Sequence, residues 1–204
     1  MSHWTLSLIT APTSEPITLQ EAKDQARIVQ SQGDAVLYRY IKTAREAAEQ
    51  YMNRGLLTQT WTLGLHGFFE RITLPRAHPL QNDVLTAPVI TYYDPNGTLQ
   101  TLNSMTYLVD ALSRPGRIGR APGYSWPSIQ VDRNAPVVFI TYTIGWTSAA
   151  LVPERIKQGM RLYISWLDRD RDGSDVGGDL ALKRAEDCWN DVLSYIEPCD
   201  EGYR

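Results

Sequence analysis

The residues with the clearest potential for chemistry form an acidic loop near the carboxyl end of the chain. Residues 168–179 alternate aspartates with other residues over the first five positions, followed by Gly173. Alternating carboxylates beside a sharp glycine turn are how EF-hand loops supply calcium with about six to eight oxygen ligands. The spacing assigns the metal-ligand positions to four residues: Asp168, Asp170, Asp172 and Asp179.

Three features of this loop argue against calcium. Asp179 stands where such loops have a glutamate, and its shorter side chain makes bidentate ligation harder. Asp175 occupies a position that is usually apolar, and the loop is single although these loops usually come in pairs. Short motifs match by chance, and a solvated linker between two helices explains the same residues. We therefore expect no cofactor and keep calcium binding as an alternative.

No group of residues has the pattern of a catalytic site. Gly123-Tyr124-Ser125-Trp126-Pro127 begins like the nucleophile elbow of a hydrolase, but a proline replaces the final glycine and no helix is predicted after it. A turn with Trp126 packed against a sheet is the simpler interpretation. The histidines show no metal-ligand spacing: His3, His66 and His78. Four glutamates have spacings typical of helix caps and solvent-facing helix positions: Glu15, Glu21, Glu46 and Glu49. The sequence predicts that the protein is not an enzyme.

The composition is that of a folded protein with no global affinity for nucleic acid. Of the 204 residues, 43% are hydrophobic and 21% are charged, which argues against disorder. The formal net charge of -3 gives no general attraction to phosphates, which requires a clustered basic surface. A local basic patch would have to come from four arginines in the β-rich stretch: Arg114, Arg117, Arg120 and Arg133. Solvated turn residues are the simpler interpretation for each of them.

The chain carries no predicted targeting or disulfide signal. Cys188 and Cys199 do not form a disulfide framework, and without a predicted signal peptide both thiols are expected to be reduced. No window has the roughly 18 consecutive apolar residues that a membrane span needs. Among the tryptophans, most are expected in the core and some at subunit contacts: Trp61, Trp126, Trp146, Trp166 and Trp189.

Helical signals lie at both ends of the sequence. Residues 1–17, broken by two prolines, are predicted to be an extended arm. Thr18-Leu19-Gln20-Glu21 has the pattern of a capping box and begins a short helix. Asp34 is the predicted N-cap of a longer helix to about Asn53, with Arg54-Gly55 as its stop. Pro153 and Glu154 begin a third helix, whose predicted buried stripe is Ile156, Met160, Tyr163, Ile164 and Leu167. A last helix is predicted over 180–196, followed by a mobile tail.

The middle of the chain has the period of β-strands. Strands are predicted over 58–66, 71–75, 89–93, 98–102, 106–110 and 136–145. Asp94-Pro95-Asn96-Gly97 predicts a hairpin turn between the third and fourth of them. Strands that follow one another without helices predict an antiparallel sheet or a small sandwich. The predicted fold class is α+β: a bundle of two N-terminal and two C-terminal helices with an inserted antiparallel β-rich domain. The predicted division is 1–57, 58–150 and 151–204, with the last part packing against 18–55.

The order of several short motifs resembles a known family. These are Pro16–Lys23, Ala44–Tyr51, Leu56–Leu63, Ile72–Arg76, Gly116-Arg117-Ile118, Ser125-Trp126-Pro127, Thr143–Trp146 and Val152–Gln158. Together, over about residues 16–168, they resemble the tailed-phage head–tail connector (adaptor or head-completion) proteins. None of these motifs is specific alone, whereas their order and spacing are.

The resemblance implies a virion structural protein at the neck, which is in the host cytoplasm during assembly. Such connectors form a homo-oligomeric ring, commonly a dodecamer, beneath the portal protein. They extend the channel through which genomic DNA passes without specific binding, and they dock a stopper or tail-completion protein. The helical part would form ring contacts, and the β-rich part would project. The C-terminal segment would engage the portal through Leu180, Trp189, Val192, Tyr195, Ile196, Tyr203 and Arg204.

Two other functions fit parts of the sequence. One is an EF-hand-like calcium-binding module built on the acidic loop. The other is a carbohydrate-binding or baseplate β-domain that uses exposed tryptophans such as Trp126 or Trp146.

Overall fold

The chain is a mixed α+β protein, and every strand pairing among its described residues is antiparallel. A computed structural model describes residues 4–26, 33–77, 88–130, 135–169 and 183–190. Its helices are α1 (Leu19–Ala26), α2 (Asp34–Tyr51), α3 (Glu154–Arg169) and α4 (183–190). Its strands are β1 (Trp4–Thr10), β2 (Gln59–Leu65), β3 (Arg71–Thr73), β4 (Val89–Tyr93), β5 (Leu99–Thr101), β6 (Tyr107–Asp110), β7 (Arg117–Arg120) and β8 (Val138–Ile144).

The chain divides into two compact units. The β unit consists of Met1–Thr13 and Thr58–Thr147, and the helical unit consists of Ser14–Leu57 and Ser148–Arg204. The first strand therefore belongs with the central stretch, although the sequence predicts an extended arm grouped with the N-terminal helices. The helical unit is made from two stretches that flank the main stretch of the β unit.

Two antiparallel sheets share the core of the β unit. The larger has the order β1-β2-β8-β4-β5, and the smaller has the order β3-β7-β6. Strand β8 shows the predicted alternation, because Val138, Ile140, Tyr142 and Ile144 are all buried. They join one apolar cluster with residues of the smaller sheet, including Ile118 of β7. The predicted hairpin is confirmed: the amide of Gly97, at φ 78°, donates to the carbonyl of Asp94 at 2.9 Å.

Two strands were not predicted from the sequence. Strand β1 alternates apolar and polar residues over Trp4–Leu8, a strand signal that the interpretation of residues 1–17 as an extended arm did not use. It is held by the ladder that pairs Trp4 with Leu65 and Leu8 with Trp61. Strand β7 has four residues, of which one is a glycine, a residue depleted in strands, and only one, Ile118, is apolar. It forms because β3 and β6 pair with its two edges.

The predicted capping box begins α1. The amide of Glu21 donates to Thr18 Oγ1 at 3.2 Å, and the amide of Thr18 donates to Glu21 Oε2 at 2.7 Å. Both reciprocal bonds of the motif are therefore present, and each satisfies a backbone donor that the first helical turn leaves without a partner.

Both predicted ends of α2 are corrected by the structure. Asp34 is the first helical residue rather than the N-cap, which is Gly33. The Asp34 carboxylate instead lies 2.6 Å from Lys23 Nζ. At the other end Asn53, not Gly55, adopts the left-handed conformation, with φ 48°. The amide of Arg54 donates to the Glu49 carbonyl at 3.0 Å, the bond of a Schellman motif with asparagine in the glycine position.

Helix α3 buries its predicted stripe. Ile156, Met160 and Ile164 are fully buried, and the other two predicted members, Tyr163 and Leu167, are half-buried. The indole of Trp189 on α4 lies against Gly159, where an added Cβ would be 2.3 Å from its Nε1. A glycine in a helix interior usually costs about 1 kcal/mol, and here its lack of a side chain provides the space for a buried tryptophan.

We predict that Gly159→Ala destabilises the protein despite the better helix propensity of alanine. The new methyl group forces the buried indole to move, and overpacking of this kind typically costs about 1–3 kcal/mol. Chemical denaturation gives the free energy of unfolding. As the control, Gly159→Ala is repeated in a Trp189→Leu background, where alanine should be neutral or stabilising. Destabilisation of equal size in both backgrounds would show that the contact with Trp189 is not the cause.

Candidate interaction surface

The predicted metal loop is mostly outside the described residues. Of the four predicted ligands, Asp168 lies in the last turn of α3, and Asp170, Asp172 and Asp179 fall outside. Within the described part of the chain, no three histidine, cysteine, aspartate or glutamate side chains are grouped closely enough to hold a metal ion. Calcium binding by this loop stays a prediction.

The serine-containing segment is a turn, as the simpler interpretation predicts. Gly123 adopts φ 82°, and the Trp126 ring stacks on Phe68 with centroids 4.7 Å apart and planes 6° apart. Both rings pack against the core of the β unit. Of the histidines, only His66 is in the described ranges, directly after β2, while His3 and His78 are not.

Of the seven predicted portal-binding residues, only Trp189 lies in the described ranges. Trp189 is 2% exposed, and its ring centroid lies 5.6 Å from that of Tyr51 and 5.9 Å from that of Tyr163. Its observed contacts are those of a core residue of the helical unit, so a direct contact with a portal would require α4 to move. The other six lie outside the described ranges: Leu180, Val192, Tyr195, Ile196, Tyr203 and Arg204. Their role stays a prediction.

The glutamates considered as acid–base candidates form ion pairs in the helical unit. The buried Arg45 donates to Glu15 and to Glu49, at 2.9 Å in each case, and lies 3.5 Å from Glu46. Glu49 also accepts the amide of Leu56 at 2.9 Å. The sequence interpretation of Glu49 as solvent-facing is wrong, because Glu49 is 3% exposed. Burial raises the pKa of Glu15, and the nearby Arg45 guanidinium opposes that rise.

A second ion-pair group joins the two stretches of the helical unit. Arg161 of α3 lies 2.9 Å from Glu21 of the capping box and 2.6 Å from Glu154. Burial raises the pKa of Glu21, but hydrogen bonds from the Thr18 amide and hydroxyl and from Arg161 outweigh it and hold the pKa below its ordinary value. Hydrogen bonds from Lys157 and Arg161 likewise lower the pKa of Glu154. These carboxylates stabilise the fold rather than exchange protons near neutral pH.

The arginines of the smaller sheet do not form a basic patch. Arg117 pairs in register with Asp110, and the groove on this sheet is lined by charges of both signs: Glu70, Arg71, Asp110, Arg117 and Arg120. A hydrogen bond from the Ser113 hydroxyl lowers the pKa of Asp110, with a smaller contribution from Arg117. Arg114 lies in the loop before β7, and Arg133 falls outside the described residues. Mixed charge is a poor surface for nucleic-acid phosphates.

The larger sheet contains no charged residue in any of its five strands. Hydroxyl groups bridge its central strands on the face away from the core: Thr60 Oγ1 and Thr143 Oγ1 are 2.9 Å apart, as are Thr62 Oγ1 and Thr141 Oγ1. Exposed apolar side chains lie along the outer strand β1, where Trp4, Leu8 and Ile9 are 49%, 44% and 60% exposed. An exposed, uncharged strand at the edge of a sheet is the surface of this unit best suited to bind another chain.

Comparison with known proteins identifies a relationship for part of the chain. Residues 16–89, which include α1, α2, β2 and β3, match the family model of the phage gp6-like head-tail connector protein. The resemblance to head–tail connectors is confirmed. No curated protein matches the chain.

Three solved structures share the fold of this chain over most of both chains. One is described as the neck of an empty gene transfer agent (GTA) particle computed with C6 symmetry, at 21% identity, with 91% of this chain and 94% of that chain covered and a TM-score of 0.69. The neck of the native GTA particle computed with C12 symmetry gives 20% identity with the same coverages and TM-score. The virion of the native particle gives 19% identity, again with 91% and 94% covered and a TM-score of 0.69. In the described residues, no helix is long and apolar enough to cross a membrane.

We predict that Arg45→Met destabilises the helical unit by roughly 3 kcal/mol, because it removes a buried cation from beside two carboxylates. The matched control is Arg39→Met, which changes an exposed arginine on the same helix. Urea denaturation compares the two free energies of unfolding. Equal and small losses for both variants would mean that the Arg45 pairs contribute nothing to stability.

The depressed pKa values of Glu21 and Glu154 predict an acid-sensitive fold. A group with a lowered folded-state pKa gives stability that is present above its ordinary pKa and lost as the pH falls through the folded-state value. The loss should therefore begin below the ordinary value of 4.5. Thermal unfolding at about pH 6 and about pH 3 should show a smaller loss for Arg161→Gln than for the wild type. Arg39→Gln is the control, and an acid dependence of Arg161→Gln equal to that of the wild type would contradict the assignment.

Proposed function

We propose that this protein is a head–tail connector, a structural and non-catalytic component of a virion neck. The observation that carries the proposal is the match of residues 16–89 to the gp6-like connector family, in a chain whose fold follows GTA structures over 91% of its length. In this proposal several copies form a ring under a portal protein, extend the DNA channel and dock a stopper or tail-completion protein. The ring is most simply a dodecamer, since a related neck was computed with C12 symmetry.

The architecture supports a connector with two parts. In the proposed arrangement, the helices form a bundle and the β unit is an insertion between its second and third helices. The helical unit has its own core, with Leu37 and Ile41 of α2 and Met160 of α3 all buried, and α2 packs on α3. The β unit likewise has its own apolar cluster. Each part can therefore present a surface to a different partner without depending on that partner for its core.

The charge distribution suits a channel through which DNA slides. Phosphate contacts by lysine and arginine make DNA binding strong and salt-dependent, so a channel lined by them would retard the genome. The chain has a net charge of -3, and the five strands of its larger sheet contain no charged residue. DNA is therefore a passing cargo in this proposal and not a specific ligand.

The portal is the proposed partner of the C-terminal segment, whose interface residues are Leu180, Trp189, Val192, Tyr195, Ile196, Tyr203 and Arg204. When a segment becomes ordered on docking, it loses conformational entropy. The free energy gained by burying the interface offsets that loss. The mass of the purified chain in solution, alone and with the cognate portal, tests the proposal directly. A ring, or a monomer recruited onto the portal, supports it. A chain that stays monomeric with and without the portal overturns it, as does a calcium-dependent change of mass without portal association.

We predict that deleting residues after Ile196 weakens portal binding while the chain still folds. Neither described core includes any of the removed residues, so thermal unfolding should be nearly unchanged. Affinity for the portal is measured by co-sedimentation or surface plasmon resonance, and a variant that replaces Tyr203 and Arg204 with alanine separates side-chain contacts from chain length. Portal binding equal to that of the full chain would remove this segment from the interface.

A further inference from the structure

The two outer strands of the larger sheet are edges without the usual protection. Among the described residues, β1 pairs only with β2, and β5 pairs only with β4. An exposed edge strand carries a row of backbone donors and acceptors that can pair with another chain, and soluble proteins usually block it with lysine, proline or a bulge. Strand β1 has neither lysine nor proline, and its one irregularity, between Leu8 and Thr10, leaves Trp4–Leu8 as a regular ladder.

The charges distinguish these edges from those of the smaller sheet. Strands β1 and β5 contain no charged residue, and all three residues of β5 are exposed. Of the outer strands of the smaller sheet, β3 contains Arg71 and β6 contains Asp110. Pairing β1 with β5 would bury no charge, whereas pairing β3 or β6 with another strand would place a charge at the new contact. Because β1 and β5 both lack charged residues, contact between these two edges is favoured over contact at β3 or β6.

The strand directions are compatible with a ring. Neighbours alternate in direction along β1-β2-β8-β4-β5, because every pair is antiparallel, so β1 and β5 run the same way. Copies related by a rotation about an axis along the strands would then join β5 of one copy to β1 of the next as parallel neighbours. Such a head-to-tail contact uses two different surfaces of each chain and closes into a ring when the rotation divides the circle.

We propose that the β1 edge of one copy pairs with the β5 edge of a second copy, so that the larger sheet continues from subunit to subunit. This inference rests on the proposed connector function, because it identifies a contact that would close the ring. The occupant of the β1 edge is another copy of this chain. Backbone hydrogen bonds form the contact, and the exposed apolar side chains Trp4, Leu8 and Ile9 lie beside it.

Two matched substitutions test the edges separately. Ser7→Lys places a charge on β1 and Thr101→Lys places one on β5, and both positions are exposed hydroxyl residues whose change leaves the core intact. Thr73→Lys is the control, because it makes a similar change at an exposed position on the outer strand β3. Circular dichroism and thermal unfolding establish that each variant folds. Assembly is measured as mass in solution, with the portal present if the wild type needs it.

The expected result is that each edge variant loses the ring while Thr73→Lys keeps it. A mixture gives the decisive measurement: Ser7→Lys retains an intact β5 edge and Thr101→Lys retains an intact β1 edge. The two variants should therefore form a heterodimer together and stop there, although each alone stays monomeric.

Four results would overturn the pairing. Rings formed by both edge variants would exclude these edges and leave the connector function standing. Loss of the ring for Ser7→Lys but not for Thr101→Lys would mean that β1 meets a different surface. Loss of the ring for Thr73→Lys as well, or no heterodimer in the mixture, would also exclude pairing between β1 and β5. A wild-type chain that forms no assembly with or without the portal would overturn the connector function itself.

Discussion

The constraint on which the rest of this structure depends is that its helical unit comes from two stretches of chain separated by the β unit. Bringing the two stretches together across so long an intervening segment costs conformational entropy. This cost grows only slowly with the length of the segment. The β unit limits this cost because its strands β2 and β8 pair, with Gln59 opposite Ile144. The amide of Thr58 donates to the carbonyl of Trp146 at 3.1 Å, so the chain leaves the β unit beside the point where it entered. The first stretch of the helical unit therefore ends close to the point where the second begins.

Within the helical unit, polar contacts fix the arrangement that apolar packing alone would leave less specific. Apolar contacts are non-directional, whereas the 2.9 Å contact between Arg161 and Glu21 of the capping box requires α1 and α3 to be correctly aligned. Glu49 similarly joins Arg45 to the amide of Leu56, which ties α2 to the segment that leads into β2. Removal of one partner from a buried pair is strongly destabilising even where the pair adds little net stability over an apolar substitute. The hypothesis that follows is that these residues contribute more to the specificity of the helix packing than to its net stability.

The sequence was informative wherever one local signal determined one local structure. The capping box at Thr18, the hairpin at Asp94–Gly97 and the buried face of β8 were all predicted, because each depends on neighbours in sequence. Most of the failures concern contacts between residues that are distant in sequence. Strands β1 and β7 exist through their partners, and Glu49 is buried through contacts that a helical wheel does not show. Asn53 takes the left-handed position because the helix ends at Tyr51, four residues before the glycine that was predicted to mark its stop.

The interaction surface likewise depends on strand pairing that local sequence signals do not show. Every residue of β1 and β5 can be read from the sequence as uncharged, but uncharged strands are ordinary in a protein core. Only the strand order, which places these two at the edges of one sheet, shows that their backbone groups face outward. A monomer that functions alone would gain solubility from a lysine on either strand, and a chain that assembles through these edges would lose its contact. The absence of charge at both edges is therefore more consistent with selection for assembly than with selection for a solitary fold.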